Sequence, residues 1–205
     1  MPDTPLSLSG RPLADAVHLC VDMQRLFGAG SPWRVPWIET VRPMVASLVA
    51  ARPERTVFTR FIPPQRAGDA PGAWAGYYAR WPEVLRARMD PAWLELLPEL
   101  AAHVPPARVL DKMVYSPWRD GRLHRHLRRR GVTGLIVTGG ETEICVNATV
   151  LGAIDRGYRV ILVEDALCSS SDAGHDAAMT IFRSRFSQQV RTARLDEVLE
   201  RWPAG

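Results

Sequence analysis

The chain has 205 residues, 46% of them hydrophobic and 23% charged, the make-up of a water-soluble globular protein able to bury one substantial core. No run of about 18 apolar residues occurs, which excludes a helical membrane span, and residues 1–14 lack the basic start and apolar stretch of a secretory signal, so they read as a surface tail. Much of the net charge of +4 sits in residues 122–130, where Leu123 and Leu127 share one helix face and the arginines take the wet side; no stacking-aromatic array or groove-reading motif points to nucleic acid.

From residue 15 onward, short runs rich in Val, Leu and Ile alternate with longer helical patterns, the signature of a parallel α/β sheet with crossover helices. Val17 to Val21 reads as the first strand. A helix over 36–51 follows, with Pro36 near its start and Arg52-Pro53 closing it. Residues 56–59 form the second strand. An insertion over 62–106 is rich in proline and aromatics, with a short helix expected around 93–102. The third strand is 108–110, then a helix over 121–130 leads to the fourth strand at 134–138. A helix over 142–156 ends at Gly157, a left-handed cap, and the fifth strand is 160–163. The last crossover helix, 172–185, is capped by Ser171 or Asp172 and leads to a sixth strand at 189–192.

Ligands of open parallel sheets bind beyond the carboxyl ends of the strands. The polar residues expected there are Asp22, Arg60, Asp111-Lys112, Gly139-Gly140-Glu141-Thr142 and Glu164-Asp165. Three cysteines without a pairing pattern fit free thiols in a reducing compartment, hence the cytoplasm. Cys20, inside a strand, and Cys168, in the loop after strand five, read as structural. Cys145 falls at a helix start, three residues after a potential N-cap, Thr142; the helix dipole there favours a thiolate, while an inert buried thiol is the equal alternative on position alone. Asp22, Lys112 and Cys145 gain meaning from sharing one edge of the sheet.

These residues resemble the isochorismatase-like cysteine hydrolases. The likeness is carried by Val21-Asp-Met-Gln24 with Phe27, by Asp111-Lys-Met-Val-Tyr-Ser116, by Val137-Thr-Gly-Gly-Glu-Thr-Glu-Ile-Cys-Val146, and by matches continuing to Ala166. It covers roughly residues 15 to 193. It implies a single three-layer α/β domain, with a six-stranded parallel sheet and helices on both faces. It implies a catalytic triad of Asp22, Lys112 and Cys145, a cis peptide at Gly140–Glu141, and an oxyanion hole formed by the N–H groups of Glu141 and Cys145. Relatives usually carry an aliphatic residue where this chain has Gly140.

The implied reaction is attack of the Cys145 thiol on a small amide or ureido carbonyl, with no cofactor. Phe27, Trp33, Tyr115 and Trp118 are expected to wall the substrate pocket; Arg60 either receives a carboxylate or stays at the surface, and Trp74, Tyr77, Tyr78 and Trp81 either form a lid or pack in the core. The metal-binding relatives carry an Asp-x-His pair and a further histidine, a spacing shared by none of His18, His103, His124, His126 and His175, so no metal is expected. The resemblance also implies a homo-oligomer, dimer or tetramer. Vinyl-ether hydrolysis of the isochorismatase type and a non-catalytic binding protein on the same fold are the alternatives. A dinucleotide-binding fold lacks its G-x-G-x-x-G here.

Overall fold

Runs that are apolar at every position bury both faces, and such runs supply the central strands of one parallel sheet. Its strands are β1 (Val17–Val21), β2 (Thr56–Phe61), β3 (Arg108–Lys112), β4 (Gly134–Gly140), β5 (Arg159–Cys168) and β6 (Val190–Ala193). Their order is β3-β2-β1-β4-β5-β6, every neighbouring pair parallel. The computed structural model describes residues 13–202, so all but the last two residues of the expected 1–14 tail lie outside the described residues.

Helices cover both faces. The period-2 alternation of the strands turns Val17, Leu19 and Val21 to one side. There they pack with α4 (Arg122–Arg129), α5 (Asn147–Ile154) and α6 (Asp172–Arg185) through Leu123, Leu127, Val150 and Phe182. Cys20, Phe58, Ile136 and Val163 face the other layer. It comprises α1 (Ile38–Ala51), the single turn α3 (Pro98–Ala101) and the C-terminal α7 (Leu195–Arg201), a helix absent from the sequence expectation. The remaining helix, α2 (Ala73–Arg80), lies in the insertion. Among the described residues no helix is long and apolar enough to cross a membrane.

The strand order reverses between β1 and β4, which opens a crevice beyond their carboxyl ends. The backbones meet closely there. Gly139, paired with Val21, has φ +98°, and a Cβ on it would sit 2.2 Å from the Val21 carbonyl oxygen. Only glycine meets both demands.

Several expectations are corrected. The helix expected around 93–102 is two separate turns, Pro91–Leu94 and α3; the stretch between them is held extended, with Leu96 bridging to Gln24. Pro98, which lacks an N–H, starts the second turn. Strand β5 runs on past Val163 to Cys168 because the β4–β5 register slips between Val137 and Gly139. Cys168 is therefore a buried strand residue rather than a loop residue. The slip also directs Glu164 and Asp165 away from the crevice: Glu164 pairs with Arg183 at 2.7 Å, and Asp165 accepts the Leu195 N–H at 2.9 Å.

Candidate active site

Asp22 follows β1 with φ 53°, a left-handed conformation uncommon for a non-glycine residue and held only where neighbours enforce it. The neighbour is Thr59 on β2. Its carbonyl and hydroxyl oxygens both accept the Asp22 N–H at 3.2 Å, and its hydroxyl donates to Asp22 Oδ1 at 2.6 Å. Asp22 Oδ2 takes the Lys112 ammonium at 2.6 Å, as an ion pair with both side chains almost wholly buried. Lys112 closes β3 and reaches this carboxylate across β2; its Nζ also donates to Val114 O at 3.3 Å and lies 4.7 Å from the Phe61 ring centre. Burial works against the ammonium, but the charges of Asp22 and Cys145 outweigh it and hold the lysine pKa above its ordinary value.

Cys145 sits near enough to both partners for each to shift its pKa, so the three side chains from separate strand ends meet. Burial pushes the Cys145 thiol up, Lys112 pulls it down only in part, and Asp22 adds to the rise. Burial thus opposes the ionised sulfur that the Lys112 ammonium favours. Thr142 is not the N-cap: it lies inside the first turn, a π-turn over Thr142–Val146 whose cap is Glu141, and its hydroxyl donates to the Cys168 carbonyl at 3.2 Å. That hydroxyl oxygen also meets His175 Nδ1 of α6 at 2.9 Å, which ties the cysteine turn to the last crossover helix. The Ile144 and Val146 N–H groups both bond the Glu141 carbonyl.

The Gly140–Glu141 peptide is cis. A Cβ at Gly140 would lie 2.6 Å from Cys168 Sγ, so the cysteine sulfur fills the room that an aliphatic residue at 140 would need. Gly140→Ala is expected to cost about 1–3 kcal/mol by overpacking. Much of that cost should vanish in a Cys168→Ala background. Urea denaturation of the four proteins reads the coupling, and an equal penalty in both backgrounds would refute the contact.

Above the thiol lies a cavity of about 300 Å³. Phe27, Trp33 and Tyr115 line it, together with Tyr77 and Trp81 from the insertion. The other two lid candidates do not reach it: Tyr78 is buried in the core, and Trp74 lines a second cavity beside Val114 and Ala148. Trp118 is also corrected. It is buried in the core, donates its indole N–H to the Thr149 carbonyl at 2.8 Å and stacks on Tyr158. Arg60 is committed to a two-pronged pair with Asp111 (2.8 and 3.0 Å) and is not in the cavity wall.

Sequence reasoning passed over Thr59, Phe61, Arg34 and the side chain of Glu141. Thr59 and Phe61 are two apart, so they share a face at the end of β2, and an expected strand two residues longer would have found both.

No histidine lines the cavity. His18 is buried between the hydroxyls of Thr138 (2.7 Å) and Thr56 (3.4 Å), while His124 meets the Tyr158 hydroxyl at 2.9 Å. Among the described residues no three His, Cys, Asp or Glu side chains are grouped to hold an ion, so this donor set does not fit a bound metal.

Fold and site together define a three-layer α/β protein with a thiol, an ammonium and a carboxylate gathered at the switch point of its sheet. The chain belongs to the isochorismatase-domain family, which matches residues 16–194. Over 98% of both chains it superposes on a cysteine hydrolase from Pseudomonas syringae pv. phaseolicola, with a TM-score of 0.82 at 23% identity. It is 31% identical to a streptothricin hydrolase from Streptomyces noursei over 181 residues, 88% of this chain and 59% of that one. It is 30% identical to nicotinamidase 3 from Arabidopsis thaliana over 102 residues, 49% of this chain and 52% of the relative. The chain spans about half the length of curated relatives such as this last one.

Proposed function

We propose that the chain is a cysteine hydrolase that cleaves a C–N bond of a small amide or ureido compound through a thioester on Cys145. The meeting of Cys145, Asp22 and Lys112 beneath an aromatic-walled cavity carries this reading. Family membership supports it, as do relatives named for amide and ureido chemistry, among them a ureidoacrylate amidohydrolase.

The resting thiol needs a base, and Asp22 is the carboxylate in contact with it. As Asp22 takes the proton, Sγ attacks the substrate carbonyl carbon, and the oxyanion forms against the N–H groups of Glu141 and Cys145. Asp22 passes the proton to the leaving nitrogen, the C–N bond breaks, and ammonia or an amine departs. Water, deprotonated by Asp22, then attacks the thioester; the acid leaves and the thiol recovers its proton. Lys112 holds the carboxylate in place and offsets negative charge on sulfur and on Asp22. A homo-oligomer working in a reducing compartment belongs to the same proposal.

The test is a panel of small primary amides and ureido acids, assayed for ammonia release with intact-mass spectrometry during turnover. The expected result is ammonia from at least one compound and an acyl adduct on Cys145. No ammonia from any compound, or turnover undiminished in Cys145→Ala, would overturn the reading.

A further inference from the structure

The cavity above Cys145 has an unusual electrostatic make-up for so small a space. Six aromatic side chains surround it: Phe27, Trp33, Phe61, Tyr77, Trp81 and Tyr115. Trp33 is the hub: Phe27 stacks on it at 6.3 Å and 15°, while Tyr77 and Trp81 approach at 5.9 and 6.5 Å. Ring faces carry negative potential. Glu141, half-buried, lines the same cavity. Ser170 Oγ donates to its Oε2 at 2.9 Å, which fixes the carboxylate in place. Among the described residues no lysine, arginine or histidine pairs with it. Burial pushes the Glu141 pKa up, against the pull of the Ser170 hydrogen bonds and with the charge of Glu143. Its own charge in turn helps to push up the phenols of Tyr77 and Tyr115, after their burial.

We propose that this cavity receives a positively charged group of the substrate, a quaternary or protonated amine, held by the Glu141 carboxylate and the surrounding ring faces. The inference rests on the amide-hydrolase reading and narrows its substrate class to cationic amides. A cation over aromatic faces beside an unpaired, partly desolvated carboxylate satisfies the carboxylate and the rings at once. The other charged wall residue, Arg34, points the opposite way chemically, toward anions. It is solvent-exposed, where its field is screened, whereas Glu141 is half-buried and caps the turn that carries the nucleophile.

The experiment compares three amides by calorimetric binding to the Cys145→Ala protein, which binds without turnover. They are trimethylglycinamide, a cation; 3,3-dimethylbutanamide, its uncharged isostere; and malonamate, an anion. The cation is expected to bind at least about tenfold tighter than the isostere. Glu141→Gln, which keeps the Ser170 hydrogen bond, should reduce that preference to near unity, and Arg34→Ala should retain it. The preference should also fade on acidification, at a pH above that of an ordinary carboxylate, because the raised pKa of Glu141 lets it protonate early. Equal binding of cation and isostere, undetectable binding of the cation, or tighter binding of malonamate would overturn the proposal. The two readings fail separately. Cation-selective binding with no ammonia released from any amide by the wild-type chain would sink the hydrolase and leave the cation site, whereas turnover without charge preference would do the reverse.

Discussion

Replacing Cys145 with alanine is expected to lower kcat for ammonia release by at least about 10⁴-fold, the order lost when a covalent nucleophile is removed from a hydrolase. The size of the effect follows from what the variant keeps. Asp22 and Lys112 remain paired at 2.6 Å and the Glu141 turn is unaltered, so only general-base activation of water is left. That residue of catalysis lacks the thioester and the intramolecular attack that makes it form readily. The fold should survive, since a small side chain becomes smaller at a position that borders the cavity. A thermal melt within a few degrees of wild type would separate lost chemistry from lost structure. Cys20→Ala is the control: that thiol lies wholly buried in β1, on the face packed against α1, where burial pushes its pKa up. Its kcat should stay near wild type. Ammonia release from Cys145→Ala at a tenth of the wild-type rate or more would end the covalent mechanism.

How far the sequence reveals this molecule depends on whether a feature is local. The first strand and the last crossover helix fall where the sequence places them, at Val17–Val21 and Asp172–Arg185. The strand is an uninterrupted apolar run bounded by polar residues, and Ser171 caps the helix by accepting the Gly174 N–H at 3.1 Å. The convergence of Asp22, Lys112 and Cys145 is also legible, because a parallel sheet places the ends of distant strands together and the strand-end rule needs no contact information. Three features stay hidden because they are set by partners far along the chain. Trp118 looks like a pocket wall but donates its indole N–H to the Thr149 carbonyl, 31 residues on. Strand β5 looks finished at Val163, and only its register against β4 extends it. The pKa of Cys145 reads as lowered from its helix-start position, whereas burial by the whole fold raises it. A dipole is a local property and desolvation is not.

Removing the Lys112 ammonium should unfold the site as well as silence it. In Lys112→Met, the Asp22 carboxylate keeps its Thr59 hydrogen bond but loses its counter-charge in a place where 1% of its side chain meets solvent. Breaking a buried pair from one side costs about 3–5 kcal/mol, because the remaining charge is left uncompensated. At roughly 2–4 °C per kcal/mol for a chain of this size, the melting temperature should fall by on the order of 10 °C. Replacing both partners by uncharged groups costs far less, so Asp22→Asn combined with Lys112→Met should recover most of that loss. Activity should not return with it. The double variant lacks the proposed base for the thiol proton, and it lacks the Lys112 charge that draws the Cys145 pKa down. Urea midpoints for wild type, both single variants and the double variant form a complete cycle, and the coupling energy is the quantity to read. A Lys112→Met protein as stable as wild type, or a double variant no more stable than that single one, would show that the ion pair does not hold Asp22 in its left-handed turn beneath the cavity.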